Sequence, residues 1–317
     1  MLRGLFSLLA PAGCRGRLSI LIFHRVLAAP DPLLPGEVDA ASFDRICAWV
    51  AAWFQVLPLD EAVARLRRVD LPARAMAITF DDGYADNHDV AMPILKRHGL
   101  VATFYVATGF LDGGRMWNDT VIESVRGCAL PELALGHLAI DGVKRLALHS
   151  DADRRLAIQA LLGGLKYRPG QERSQLVQQV AELAAATLPG GLMMRSDQVK
   201  ALHAAGMTVG AHTETHPILL RLAPGAARRE IELSRQKLEA ILGEGVKHFA
   251  YPNGVPGRDL SDDTAKIVRD LGFESAVTTG WGAARRGADL FQLPRFTPWD
   301  RSRWKFGARM ARNLWGT

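Results

Sequence analysis

The chain has 317 residues, of which 48% are apolar and 23% charged, and its formal net charge is +6. This composition is typical of a soluble globular protein, and no segment reaches the roughly 20 consecutive apolar residues that a membrane-spanning helix needs. The three cysteines are odd in number and scattered, so neither a disulfide framework nor a cysteine metal cluster is expected. No recognised nucleic-acid-binding motif accompanies the positive charge, and we therefore expect no nucleic-acid partner.

Residues 1–17 are predicted to form a short amphipathic lead before the fold begins. The apolar run from Leu5 to Ala10 is shorter than the core of a usual export signal, and Arg15 and Arg17 follow it closely. We therefore expect that the segment is not cleaved and that the protein is cytoplasmic, while export stays an alternative. The cysteine pattern also fits a reducing compartment.

The first predicted strand covers residues 18–23, and His24 follows where this strand ends. An isolated histidine at such a place is most simply a core residue that has found a hydrogen bond. Helical spacing then predicts helices over residues 40–54 and 60–68, with a short strand at 55–59 between them. The chain thus begins as alternating strands and helices.

Two adjacent carboxylates end the next predicted strand. Residues 76–80 have buried-strand character, Asp81 and Asp82 follow them, and Gly83 permits a sharp turn. Like charges this close repel one another, so such a pair is typical of a place where a cation or a reaction needs it. The pair also fits an Asx turn or the N-cap of the following helix, and by itself it does not decide between these interpretations.

A long helical region follows the buried strand at residues 101–106. Good helix formers occupy residues 153–166 and 171–188, and the whole stretch from about 115 to 195 contains no repeat. We interpret it as an insertion in the fold and not as a separate domain.

The segment His212-Thr-Glu-Thr-His216 follows a predicted strand at residues 207–211. Two histidines four residues apart can direct their rings at one point, and neutral imidazole is a common zinc ligand. The pattern alone is weak, and it is not the HExxH signature because Thr213 follows the first histidine. A catalytic zinc site typically needs three protein ligands and an open position, and a carboxylate of the acidic pair would supply the third ligand.

The acidic motif at residues 79–83 and the histidine motif at 212–216 together resemble the polysaccharide deacetylase family, also called NodB-homology domains or carbohydrate esterase family four. The resemblance extends from about Leu18 to Pro298. It implies that the enzyme removes N-acetyl groups from the amino sugars of a glycan. It also implies that Asp81 is the general base, and that a divalent metal, zinc or else cobalt or nickel, is bound by Asp82, His212 and His216.

A third motif, residues 249–254, resembles the Tyr-Pro-x-Gly form found in the branch that includes poly-N-acetylglucosamine deacetylases. The resemblance assigns Tyr251 and Asn253 to the substrate, the backbone N–H near Asn253 being the oxyanion donor. The more widespread form of this motif begins with arginine, and here Ala250 stands in that place. We therefore take Arg295 as the positive group that orients Asp81, the alternative being a surface arginine.

In the same branch, the motif that carries the general-acid histidine lies on the first strand and has the pattern aromatic-His-x-Val. Residues 23–26 resemble this motif. The resemblance thus implies that His24 protonates the departing amine. Trp117, at the start of the insertion, is a candidate for contact with the sugar, although an ordinary core position explains it as well or better.

Strands and helices alternate along the chain, which indicates an α/β fold with a parallel barrel. The family's version is a distorted (β/α) barrel of about seven parallel strands, which we place at residues 18–298 with the helical insertion at about 115–195. Each candidate motif follows a predicted strand, and the C-terminal ends of the strands form the face on which such barrels build active sites. We therefore expect the motifs to meet there.

Residues 299–317 are predicted to form a basic amphipathic tail. On a helix, Arg301, Lys305, Arg309 and Arg312 lie on one side and an apolar group lies on the other; Arg303 and Phe306 break the pattern. The apolar group consists of Trp304, Met310, Ala311, Leu314 and Trp315. The tail is either a final helix packed on the core or a basic surface for an anionic membrane, which would make the enzyme peripheral to the inner membrane on the cytoplasmic side.

Three functions remain open at this point. The first is an N-acetyl sugar deacetylase acting on a polysaccharide or a lipid-linked glycan. The second is another metal-dependent hydrolase of non-peptide C–N bonds in the same superfamily, which Ala250 and the large insertion keep open. The third is a glycan-binding relative without catalysis, although the base and all three metal ligands are present. The sequence makes no prediction about oligomeric state.

Overall fold

The computed structural model of the chain describes residues 2–138, 140, 142–298 and 300–316. The chain divides into two compact units, which we call the barrel unit and the helical unit. The barrel unit consists of Met1–Ala29, Glu37–Asp112 and Met193–Thr317, and the helical unit consists of Pro30–Gly36 and Gly113–Leu192. The predicted boundaries of lead, barrel and tail remain a prediction, and Met1, Trp299 and Thr317 lie outside the described residues.

The strands of the described residues are short and mostly buried. They are β1 (Arg17–Phe23), β2 (Val26–Leu27), β3 (Val38–Asp39), β4 (Gln55–Val56), β5 (Ala75–Phe80), β6 (Thr103–Val106), β7 (Glu132–Ala134), β8 (Arg145–Ala147), β9 (Thr208–Ala211), β10 (His248–Ala250), β11 (Ser275–Val277) and β12 (Ala284–Arg285).

The α-helices of the same residues connect these strands. They are α1 (Leu2–Leu9), α2 (Ala40–Trp53), α3 (Leu59–Arg68), α4 (Met92–Arg97), α5 (Trp117–Gly127), α6 (Asp151–Leu165), α7 (Gly170–Ala184), α8 (Ser196–Ala204), α9 (Pro224–Leu242), α10 (Asp262–Asp270) and α11 (Arg303–Trp315). A π-helix at Asn87–Ala91 leads into α4.

The main sheet of the barrel unit has the strand order β11-β10-β9-β6-β5-β1-β12, and β4 pairs with β5 beside it. All the pairs in this sheet are parallel except β1 with β12. The described sheet therefore contains seven parallel strands. The predicted distorted (β/α) barrel of about seven parallel strands is confirmed.

A segment near the C-terminus joins the two ends of the parallel array. Leu293 bridges to Val277 of β11, and Phe296 bridges to Leu21 of β1, both in the parallel sense. The sequence predicts a strand over residues 290–296, whereas the structure forms only these bridges. Because the segment passes between β11 and β1, it carries Arg295 into the interior of the barrel unit, where this side chain is 1% exposed.

The register of the central strands brings their C-terminal ends to the same level. In β1 and β5, Phe23 is the partner of Phe80, and in β6 and β9, Val106 is the partner of Ala211. Ala211 also pairs with Phe249 near the end of β10. The residues that follow these strands therefore emerge at one edge of the sheet, as parallel strands require.

Helix α11 packs on the rest of the barrel unit through a face that only partly matches the predicted apolar group. The residues it buries are Phe306, Gly307, Met310, Asn313 and Leu314. Met310 and Leu314 of the predicted apolar group are among them, whereas Trp304 and Trp315 of the same group are 68% and 77% exposed. The alternative of a helix packed on the core is therefore correct for Met310 and Leu314, but the two tryptophans lie outside the packed face.

Aromatic packing explains which face of α11 is buried. Phe306 lies 5.7 Å from Trp49 and 6.0 Å from Trp53 between ring centroids. Gly307 faces α1, because a Cβ atom there would lie 3.0 Å from Leu2 Cδ1. A large aromatic ring and a gap for a neighbouring helix thus decide which face of α11 is buried, and neither is visible in the periodicity of the tail alone.

The helical unit has its own hydrophobic core, formed by α5, α6 and α7 together with a small antiparallel sheet of β7 and β8. The sequence predicts the helices of this region but not the two strands, because strands of three residues give no clear periodic signal. None of the described helices is long and apolar enough to cross a membrane.

Candidate active site

The acidic pair lies where β5 ends, and both carboxylates are buried. The backbone N–H of Asp81 donates to the carbonyl of Phe23, at 2.9 Å, and the carbonyl of Asp82 accepts the N–H of Ala107, at 3.1 Å. Gly83 has φ +89°, and a Cβ atom there would lie 3.0 Å from Val106 Cγ1. The turn is therefore held between the ends of β1 and β6, the strands on either side of β5. This fixed backbone points the side chains of Asp81 and Asp82 in different directions.

Arg295 forms a two-fold ion pair with Asp81. Its Nη1 donates to Oδ1 at 2.7 Å and its Nη2 to Oδ2 at 2.6 Å. Two further donors are also engaged, because Nε donates to the carbonyl of Thr278 at 2.8 Å and Nη1 to Thr79 Oγ1 at 3.1 Å. The structure thus places Arg295 against Asp81, the carboxylate that the sequence analysis proposed as its partner, although the two residues are far apart in the chain.

This pair keeps Asp81 ionised. Burial by itself raises the pKa of Asp81, but the charge of Arg295 outweighs it and the net shift is downward. A buried carboxylate that is paired in this way is a fixed acceptor for a proton, with its orientation set by the planar guanidinium.

Asp82 faces the two histidines of the second motif. Its Oδ1 lies 3.3 Å from Nε2 of His212 and 3.3 Å from Nε2 of His216. The ligand atoms of the three side chains all lie within 4.8 Å of one another. The structure therefore brings together the three residues expected to bind a metal.

The chemistry of these three side chains fits a cation. His212 Nδ1 lies 2.7 Å from the carbonyl of Ala250, so this nitrogen is the donor and Nε2 directs its lone pair at Asp82 when the ring is neutral. Asp82 Oδ1 is buried, and among the described residues it has no hydrogen-bond partner. Two imidazole nitrogens and a carboxylate oxygen thus converge as acceptors, which is the donor set that zinc, cobalt or nickel uses.

The charges of Asp82 and His216 agree with that assignment. Burial raises the pKa of Asp82, but the neighbouring histidines outweigh it and the net shift is downward. Burial lowers the pKa of His216 to about 4. At neutral pH the cluster therefore contains an anionic carboxylate and a neutral His216, both able to bind a metal.

The loop that carries the two histidines is tied down by α9. Glu230 Oε2 accepts the backbone N–H of Glu214 at 3.1 Å and that of Thr215 at 2.8 Å, and Oε1 accepts the Thr215 hydroxyl at 2.7 Å. The hydroxyl of Thr213 accepts the N–H of His216 at 3.1 Å. The spacing of the histidines is thus held by a glutamate outside the motif.

His24 lies directly after β1 and is half-buried. Its effect reaches the acidic pair, since it contributes to the lowered pKa of both Asp81 and Asp82. Its backbone carbonyl accepts a hydrogen bond from Asn87 Nδ2 at 2.9 Å. The third catalytic candidate is therefore in the same part of the barrel unit as the acidic pair.

The turn after β10 presents an unused backbone donor. Asn253 has φ +59°, and its carbonyl accepts the Thr279 hydroxyl at 2.7 Å. In the described part of the chain no hydrogen bond uses its N–H. Tyr251 is buried and its hydroxyl donates to the carbonyl of Phe291 at 2.9 Å, so the side chain anchors the turn. The substrate roles of both residues remain predictions.

Trp117 belongs to the other compact unit. It is the first residue of α5, its ring packs against the core of the helical unit, and the guanidinium carbon of Arg173 lies 4.9 Å from the ring centroid. Its expected contact with a sugar stays a prediction.

Several site residues have an unfavourable backbone conformation. Eight non-glycine residues of the described chain have positive φ, and four of them are Asp82, Thr213, His216 and Asn253. Such conformations cost free energy and cluster at functional sites, where the surrounding structure maintains them. Their concentration here indicates that the fold maintains this cluster for a function.

The family model for polysaccharide deacetylases matches residues 68–276, which contain the acidic pair, the histidine motif and the turn at Asn253. The chain belongs to the polysaccharide deacetylase family. It is accordingly a hydrolase of carbon–nitrogen bonds other than peptide bonds. Among curated relatives, YxkH of Bacillus subtilis strain 168, which its name assigns provisionally to the polysaccharide deacetylases, is 21% identical over 281 residues, covering 88% of this chain and 70% of that protein.

Solved deacetylase structures share the fold. The Streptococcus pyogenes deacetylase PplD, determined in complex with acetate, has 21% identity and a TM-score of 0.59, with 89% of this chain and 92% of that chain covered. IcaB from Ammonifex degensii has 19% identity and a TM-score of 0.58, with 96% and 98% covered. The similarity covers nearly the whole length of both chains.

Sequence motifs did not reveal the residues that support this candidate site. Thr79 and Thr278 hold Arg295, Glu230 holds the histidine loop, and Asn87 holds the backbone of His24. Thr79 alone lies inside a recognised motif. The others act by hydrogen bonds between distant segments, for which a single sequence carries no periodic or spacing signal.

Proposed function

We propose that this member of the family is a metal-dependent hydrolase that removes N-acetyl groups from the amino sugars of a polysaccharide or lipid-linked glycan and releases acetate. One observation carries the proposal. At one edge of the sheet, a carboxylate fixed by Arg295 lies beside a cluster of Asp82, His212 and His216 with no hydrogen bond to Asp82 Oδ1 within the described residues. Neighbouring acids with different partners are suited to different tasks.

Asp81 and Asp82 have different roles in the proposed reaction. Asp82, with His212 and His216, would hold a divalent metal, which supplies a Lewis acid for the acetyl carbonyl and a more acidic water when bound. Asp81 takes the proton from the attacking water, since Arg295 keeps it ionised and oriented. The N–H of Asn253 then donates to the oxyanion of the tetrahedral intermediate.

The leaving nitrogen needs a proton, because an unprotonated amine anion is a poor leaving group. His24 is the proposed donor, since it lies at the end of β1 in the electrostatic range of both acids. The C–N bond breaks as the proton reaches nitrogen, and acetate and a free amino sugar are the products. Water and the amide thus account for all the atoms.

Acetate release tests this function. The protein is incubated with a panel of N-acetylated oligosaccharides and lipid-linked sugars, with and without a chelator. We expect acetate from at least one N-acetyl sugar and its loss with chelator. Hydrolytic ring opening of a small cyclic amide or ureide, with no acetate from any N-acetyl sugar, would favour the other C–N hydrolases of the superfamily. Binding without release would favour a glycan-binding relative.

We also propose an anionic membrane surface as a partner, on the cytoplasmic side of the inner membrane. Trp304 and Trp315 are exposed and eleven residues apart, which is about three helical turns, so they share one side of α11. Helix α11 contains four basic residues and no acidic one, and α1, which packs against it, exposes Leu8 to 80%. A basic helix with exposed tryptophans suits the interface of an anionic bilayer.

A further inference from the structure

The segment that follows the acidic pair holds the loop that carries His24. Asp86 Oδ2 accepts a hydrogen bond from Arg25 Nε at 2.8 Å, and Asp86 Oδ1 accepts the backbone N–H of Val26 at 3.1 Å. Both contacts are partly buried, and both join residues about 60 positions apart. One carboxylate thus fixes a side chain and a backbone group immediately after His24.

Asn87 holds His24 itself. Its Nδ2 donates to the His24 carbonyl at 2.9 Å and lies 3.3 Å from Asp86 Oδ1, and its side chain is fully buried. Tyr84 adds a third contact, since the guanidinium carbon of Arg25 lies 4.6 Å from the centroid of its ring. The three residues 24, 25 and 26 are therefore each held by the segment at 84–87.

The backbone of this segment is itself unusual. A π-helix at Asn87–Ala91 begins with the residue that contacts His24. Single π-helical turns are rare in proteins, and those that occur are often found at functional sites. Asp86 lies only four residues after Asp82, so the same short stretch carries the acidic pair and the contacts to His24.

We propose that Asp86 and Asn87 are positioning residues for the general acid: they lock the loop after β1 to the loop after β5, so that His24 faces the leaving nitrogen while Asp81 faces the water. The inference rests on the proposed function, because it gives His24 the role of acid. A residue that is displaced by about 1 Å loses about 10²-fold in rate, so a small relaxation of this loop has a large effect on turnover.

Two substrates separate positioning from general damage. An N-acetyl amine needs a proton on its leaving group, whereas an activated acetyl ester does not. We expect Asn87→Ala and Asp86→Asn to lower kcat on the amide by about 10²-fold, with KM, zinc content and ester turnover nearly unchanged. If Asn87→Ala fails to fold, Asp86→Asn still tests the proposal, since it keeps an acceptor for the Val26 N–H.

Two matched controls are available in the barrel unit. Asn313 is buried like Asn87 and its Nδ2 lies 3.3 Å from Ser19 Oγ, so Asn313→Ala controls for the loss of a buried amide. Asp39 is a buried carboxylate that accepts the N–H of Ser42 at 3.0 Å, so Asp39→Asn controls for the loss of a buried charge. Neither change is expected to alter the ratio of amide to ester turnover.

A double-mutant cycle with His24→Ala completes the test. If Asn87 acts through His24, then adding Asn87→Ala to His24→Ala produces no further loss on the amide. Two losses that multiply, or an equal loss on amide and ester in Asn87→Ala, overturn the positioning role while the acid role of His24 stands. Normal amide turnover in His24→Ala alone overturns the acid role first, and with it the inference about Asp86 and Asn87.

Discussion

Asp81 and Asp82 are adjacent in the chain, yet their partners give them different chemistry. Asp81 accepts two hydrogen bonds from one guanidinium, whereas Asp82 faces two imidazoles without a hydrogen bond to its Oδ1 in the described residues. The positive φ of Asp82, +77°, turns the second carboxylate away from the first. A turn of one residue thus separates the proposed base from the proposed metal ligand.

We predict that metal binding and turnover can be separated by substitution at these acids. Asp82→Ala or His216→Ala is expected to abolish zinc binding, because each removes one of the three ligands. Asp81→Asn is expected to retain zinc and lose about 10²–10⁴-fold in turnover, because the base is gone. Zinc per protein after dialysis and the rate of acetate release measure the two effects. More than a few per cent of activity in Asp81→Asn would contradict the general-base role.

His24→Ala is expected to keep the metal and to slow cleavage of the amide. An activated ester should be much less affected, because its leaving group departs without a proton. Rates on the two substrates at equal zinc content give the comparison. An equal loss on both would count against an acid role and favour a structural one.

Arg295→Met is expected to impair both turnover and stability. It leaves Asp81 buried without its partner, and breaking such a pair costs about 3–5 kcal/mol. Arg295→Lys keeps the charge but loses the two parallel hydrogen bonds, so we expect a folded protein with reduced kcat. Denaturant unfolding and acetate release distinguish the two effects, and full turnover in a folded Arg295→Met protein would exclude the role in orienting Asp81.

At the scale of the element, α11 combines a packed face with an exposed one. Phe306, Met310 and Leu314 are fully buried, so the helix contributes to the core of the barrel unit. Trp304 and Trp315 are exposed on another side of the same helix. Deleting the helix would therefore change stability and surface together, whereas point substitutions can change them separately.

We predict that Trp304→Ser with Trp315→Ser weakens binding to vesicles that contain anionic phospholipid, while stability and turnover on a soluble substrate stay unchanged. Interfacial tryptophans are removed but the buried face is kept. Co-sedimentation with anionic and with neutral vesicles at low and high salt is the measurement. Phe306→Ala is the matched change on the buried face, and it should cost about 3–5 kcal/mol of stability. If the double variant co-sediments with anionic vesicles as the unchanged protein does, α11 is not a membrane-binding surface.

At the scale of the whole molecule, the site joins five segments of the barrel unit. His24 follows β1, the acidic pair follows β5, the histidines follow β9, Asn253 follows β10, and Arg295 comes from the segment that connects β11 with β1. A ligand that bridges such distant segments binds the folded chain and not the unfolded one. Metal binding is therefore coupled to the stability of the entire unit.

Removal of metal is expected to lower the thermal stability of the protein. Zinc at about 100 times its Kd would stabilise the fold by about 2.7 kcal/mol. Thermal unfolding after treatment with a chelator, and again after adding zinc, cobalt or nickel, measures the effect. The Asp82→Ala protein should not respond to added metal, and an equal response from this variant would place the metal elsewhere.

Much of the site could be predicted because local patterns determine where strands end. The apolar runs before His24, Asp81 and His212 identified three buried strands, and parallel strands place their C-terminal ends at one edge. The C-terminal ends of β1, β5 and β9 were therefore expected to lie at the same edge of the sheet. Periodicity is a local property of the chain and predicted where these strands end, whereas the roles of the residues that follow them came from the resemblance to the family.

The sequence analysis proposed Arg295 as the partner of Asp81, but only the tertiary structure decided the contacts that hold these groups in place. Arg295 reaches Asp81 across 214 positions through a segment that is not a regular strand, and Glu230 reaches the histidine loop from the middle of α9. The same holds for α11, where contacts with Trp53 and Leu2 place Phe306 and Gly307 in the buried face, which the amphipathic pattern of the tail did not predict. Sequence alone determined the type and the ends of the main elements, because these depend on neighbours along the chain. The partners depend on close packing between distant segments, which only the folded chain specifies.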